Sequence, residues 1–95
     1  MTTSSRSSDL KSASALIATG KNRINSILMI GDGTNAGTLT VYDNTSASGM
    51  VLAQTAVGSQ HHTAYISFPN PIYAEKGIYA SLSGTGATFV LHYGG

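Results

Sequence analysis

Short apolar runs alternate with clusters of glycine, asparagine, aspartate and proline along most of this chain, and that punctuation constrains the fold more than any other feature. The breaks read GDGTNAG (31–37), DNTSASG (43–49), VGSQH (57–61), PNP (69–71), EKG (75–77) and SGTG (83–86). Glycine takes positive φ freely, and Asp or Asn side chains bond their own backbone to close a bend. Between the breaks lie runs at 14–19 (SALIAT), 23–30 (RINSILMI), 37–42 (GTLTVY), 50–55 (MVLAQT), 62–68 (HTAYISF), 77–82 (GIYASL) and 87–93 (ATFVLHY), with 71–74 (PIYA) as a candidate eighth. Strand-length runs at spacings of about 8–12 residues are the signature of an all-β sandwich or barrel. No stretch of ten residues keeps a helical period. The expectation is an antiparallel β-sandwich of about seven or eight short strands. A jelly roll and an immunoglobulin-like Greek key both fit.

Alternation assigns the faces, because successive side chains of a strand point to opposite sides. Leu39 and Val41 oppose Thr38, Thr40 and Tyr42. Ala64, Ile66 and Phe68 oppose Thr63, Tyr65 and Ser67, while Ile78, Ala80 and Leu82 oppose Tyr79 and Ser81. In the last run Phe89, Leu91 and Tyr93 oppose Thr88, Val90 and His92. Phe68 and Phe89 are therefore core candidates. The run Ile27–Ile30 is continuously apolar, which predicts a central strand covered on both faces.

Only 9% of the residues are charged, against about 25% in an average soluble domain. Thirteen Ser and eleven Thr supply the polarity instead. Neutral hydroxyls cost less to desolvate than charges, and interface cores are depleted of Lys, Glu and Asp. Much of this surface is therefore expected to meet protein. The net charge of +1 is spread over Arg6, Lys11, Lys21, Arg23 and Lys76, which makes no electrostatic case for nucleic acid or an anionic membrane. No apolar segment is long enough to span a bilayer, and MTTSSRSSDLKSASALIATG has no apolar core of a signal peptide. Residues 1–13 are Ser-rich and aperiodic and read as a flexible arm, with residues 14–95 as the sandwich domain.

Candidate chemistry is thin. With no Cys, thiolate metal sites and disulfides are out of reach. DNTSASG holds two adjacent potential cation ligands and no bidentate Glu, so it reads as a turn. GDGTNAG lacks the Lys and Ser/Thr of a phosphate loop. His61 and His62 point to opposite faces of a regular strand and cannot share one ion from it. No motif supports a Ser–His–Asp set, and the four carboxylates Asp9, Asp32, Asp43 and Glu75 sit mostly in turns or the arm. The NTS sequon at 44–46 carries no weight without a secretory signal. The expectation is a protein that is not an enzyme and needs no metal or cofactor. The candidate interface residues are Arg6, Asp9, Leu10 and Lys11 on the arm and the outward-facing Tyr42, Tyr65 and Tyr79.

The stretches LTVYDNTSASGMVLAQ (39–54) and FPNPIYAEKGIYASLSGTGATFVLHY (68–93) carry a pattern. A strand ends in an aromatic–Asp pair, and a Ser/Gly-rich loop leads to a second strand. A Pro-flanked segment, KGIY and a closing TFVLHY strand follow. In this the chain resembles small β-sandwich virion proteins of tailed bacteriophages. The resemblance implies a non-enzymatic structural protein, a trimeric capsid decoration or cement protein on the phage head surface, made in the host cytoplasm. The implied partners are the major capsid protein and copies of itself. A tail- or fibre-associated receptor- or carbohydrate-binding module is the alternative.

Overall fold

The computed structural model describes residues 6–31, 35–58, 63–84 and 86–94. These form eight strands and no helix: β1 Arg6–Ser7, β2 Ala15–Thr19, β3 Asn22–Ile30, β4 Gly37–Asp43, β5 Met50–Val57, β6 Thr63–Ala74, β7 Gly77–Gly84 and β8 Thr88–Gly94. They make two four-stranded sheets, ordered β1-β8-β3-β6 and β2-β7-β4-β5, with every neighbouring pair antiparallel. The chain changes sheet at every connection except the β4–β5 hairpin. That interleaving is the strand order of a jelly roll, and it decides between the two sandwich topologies that the sequence leaves open.

The core lies where alternation predicts. Ile24, Ile27 and Met29 of β3 and Phe89 and Leu91 of β8 face Leu39 and Val41 of β4 and Ile78 and Ala80 of β7, all fully buried. Tyr93 and Leu82 pack against this cluster from its rim. Phe68 does so too, but it is only half-buried, so its place in the core is smaller than expected. The cause is local. Between the pairs Ile24↔Ile72 and Ser26↔Ser67 the β3–β6 register shifts, and Phe68, Pro69, Asn70 and Pro71 bulge opposite Asn25. Proline has no N–H to give a ladder, and an edge strand tolerates that loss. The expected break at PNP is thus a bulge within one twelve-residue strand.

Two further expectations change. β3 is central in its sheet, yet it is covered on one side only, with Leu28 half-buried and Ile30 exposed on the outer face. The sandwich also begins earlier than residue 14. Arg6 and Ser7 pair with Tyr93 and His92, and Lys11 forms an isolated bridge with Phe89. The Ser8 N–H donates to the Leu91 carbonyl at 2.8 Å, and the Leu91 N–H donates back to the Ser8 hydroxyl at 2.8 Å. Asp9 turns the chain between these contacts at φ +67°, a conformation Asp tolerates better than most residues. Its carboxylate accepts the Leu10 N–H at 2.8 Å. A segment too polar to fold alone therefore lies along the open edge of its own β8.

Candidate interaction surface

One end of the sandwich gathers most of the described charge outside β1 and the segment after it. It is built from the β2–β3 turn with Lys21, the β4–β5 loop at 44–49 and the β6–β7 turn with Glu75 and Lys76. Asp43, the last residue of β4, ties two of these together. Its carboxylate accepts the backbone N–H groups of Glu75 at 2.9 Å and Lys76 at 2.8 Å. The Lys76 N–H is the main cause holding the Asp43 carboxyl below the usual carboxylate range. Partial desolvation opposes it, and the N–H groups of Glu75 and Gly77 and the Lys76 charge assist. The loop then closes itself. Asn44 accepts the Thr45 N–H at 2.8 Å and donates to the Ser48 carbonyl at 3.0 Å, and Gly49 ends the bend at φ +92°. DNTSASG is a turn, as its ligand count predicts, but Asp43 serves the neighbouring turn rather than its own.

Beside Asp43 lies an open cleft of about 370 Å³ lined by Asp43, Met50, Tyr73, Glu75 and Lys76. Tyr73 is exposed, and the Arg23 guanidinium sits 6.0 Å from its ring centroid, at the outer limit of a cation–π contact. Sequence reasoning passed over Tyr73, because it treated PIYA as a separate short run and left that tyrosine without a face.

The three tyrosines singled out from the sequence all point outward, but they divide between the two sheets. Tyr42 of β4 is directly opposite Tyr79 of β7, and both are half-buried. Tyr65 of β6 is exposed on the other sheet, across the sandwich. Residues directly opposite in an antiparallel pair share a face, so the register extends each group into a row. On one sheet Leu16, Tyr79, Tyr42 and Val51 form an apolar row across all four strands. Beside it run Ser81–Thr40–Gln54 and Ser83–Thr38–Ala56, with Gln54 donating to the Thr40 hydroxyl at 2.9 Å. On the other sheet Val90, Leu28 and Tyr65 form a shorter apolar row. Of the four arm candidates, Arg6, Asp9 and Leu10 are exposed and Lys11 is half-buried, all beside β8.

The row next to Leu28 holds the one buried polar side chain among the described residues, Ser26, whose hydroxyl lies 2.8 Å from His92 Nδ1. Ser7 and Ser67 flank this pair in register. The pair ties β3 to β8 across their outer face. Among the described residues no three His, Cys, Asp or Glu side chains gather as a metal site. His61 and His62, residues 32–34 of GDGTNAG and residues 1–5 lie outside the described residues. No helix of the described residues is long and apolar enough to cross a membrane. No protein-family model matches this chain, and no curated protein matches its sequence.

Proposed function

We propose that this chain is a non-enzymatic structural protein of a phage virion, which decorates the head and stabilises it through contacts with the major capsid protein. The observation that carries the reading is the chemistry of the outer faces. The four strands of the β2-β7-β4-β5 sheet contain a single charged residue, Asp43, and its carboxylate is engaged by the β6–β7 turn. Leu16, Val51, Ile30 and Tyr65 are exposed on the two broad faces. An uncharged sheet face with apolar anchors suits large-area protein contact, where desolvating charge is costly. The resemblance carried by residues 39–54 and 68–93 supplies the virion setting. The experiment is quantitative mass spectrometry of heads and tails separated from virions of the phage that encodes this chain. Hundreds of copies per head are expected, and absence from both fractions refutes the reading.

The second reading is a tail- or fibre-associated carbohydrate-binding module, which the cleft beside Tyr73 favours. An exposed aromatic ring with Asp43, Glu75 and Lys76 nearby offers stacking and hydrogen bonds to a sugar. A few copies confined to tails select that reading.

A further inference from the structure

From the chemistry of the β2-β7-β4-β5 sheet we infer that its outer face pairs with the same face of a second copy of this chain about a two-fold axis. Three observations carry this. The first is charge. In an isologous contact each surface meets itself, so a charged residue near the axis meets its like. This face presents none, since Asp43 sits at its end. The opposite sheet differs, because Arg23 of β3, opposite the exposed Tyr73, lies on its outer face, and a self-contact around it brings cations together.

The second observation is self-complementarity. Thr38, Thr40, Ser81 and Ser83 carry hydroxyls that both donate and accept, so one copy satisfies another. A Lys or Glu face lacks that property. The row Leu16–Tyr79–Tyr42–Val51 spans every strand of the sheet. A two-fold axis lying in the interface, along the row or parallel to the strands through its middle, returns the row onto itself. The apolar stripe then covers its own counterpart, and hydroxyl rows meet hydroxyl rows when the axis follows the strands.

The third is area. Four strands about 4.8 Å apart, with up to eight residues rising about 3.4 Å each, present a face of roughly 500 Å². Two such faces bury about 1,000 Å², the lower end for a specific interface. The pairing is read in solution as a concentration-dependent mass. It does not rest on the virion reading, since it concerns the isolated chain.

The test is sedimentation velocity of the full chain from about 10 μM to 1 mM, a range chosen for an interface of this size. The wild type is expected to rise from monomer toward dimer mass. Leu16 and Val51 are 44% and 51% exposed, so lysines there leave the fold intact, which circular dichroism checks. The double variant Leu16→Lys/Val51→Lys is expected to remain monomeric, with at least a tenfold loss of association. Tyr65→Lys on the opposite sheet is expected to associate like the wild type. A wild type that stays monomeric or forms trimers overturns the inference. So does a double-lysine variant that still dimerises, or a loss of dimer in Tyr65→Lys.

Discussion

Asp43 spans two turns, ending β4 while its carboxylate takes the N–H groups of Glu75 and Lys76. Asp43→Ala leaves those donors to water at an exposed site and is expected to cost about 1–2 kcal/mol by chemical denaturation at neutral pH. Asp43→Asn keeps an accepting oxygen and loses less. The folded carboxyl titrates below its unfolded value, so its stabilisation is present above about pH 4 and disappears as pH falls through the folded pKa. The stability gap between wild type and Asp43→Asn is therefore expected to close below that pH; a gap that widens there contradicts the assignment. Phe89 is fully buried, and Phe89→Ala is expected to cost about 3–5 kcal/mol. Phe68→Ala costs less, since the bulge leaves Phe68 half-buried. Gly84 sits at φ +107°, where an added Cβ lies 2.5 Å from the Ala36 carbonyl oxygen and 2.6 Å from Gly37 Cα. Gly84→Ala is expected to lower stability by about 1–3 kcal/mol from the backbone strain alone, measured by thermal melts.

At the scale of elements, β1 is the one the sequence hid. Two residues of strand and a bridge at Lys11 carry no periodicity, and Ser-rich polarity reads as disorder. What orders them is the open edge of β8, whose N–H and C=O groups at Phe89 and Leu91 find partners in Lys11 and Ser8. Several bonds worth about 0.5–1.5 kcal/mol each are offset by ordering costs of about 1–2 kcal/mol per residue. Deleting residues 1–13 is accordingly expected to change global stability little, by about 1 kcal/mol or less. The sharper readout is hydrogen exchange. The amides of Phe89 and Leu91, hydrogen-bonded to Lys11 and Ser8, are expected to exchange slowly in the full chain and as an exposed edge in the truncated one. Unchanged protection at both amides excludes Lys11 and Ser8 as their partners. The β6 bulge was half-legible, since FPNP announces an irregularity but does not say whether it ends a strand or kinks it. That was settled by β3, which pairs with β6 on both sides of the bulge.

For the whole molecule, nearly every pairing joins distant parts of the chain: β1 with β8, β2 with β7 and β3 with both β6 and β8. Loop closure comes before such contacts form, so refolding in the millisecond-to-second range is expected by stopped-flow fluorescence of the tyrosines. Microsecond refolding is incompatible with this topology. By itself the sequence determined the fold class, the strands' approximate places and the inward faces, because turn chemistry and two-residue alternation are local and survive without neighbours. It also determined that the surface is nearly uncharged. Only the tertiary structure decided which strands lie side by side. That choice made the jelly roll, split the tyrosines between two faces, aligned Leu16, Tyr79, Tyr42 and Val51 into one row and delivered Asp43 to a turn more than thirty residues away. Those are properties of register between distant strands, and an alternation pattern is the same whichever neighbour a strand acquires.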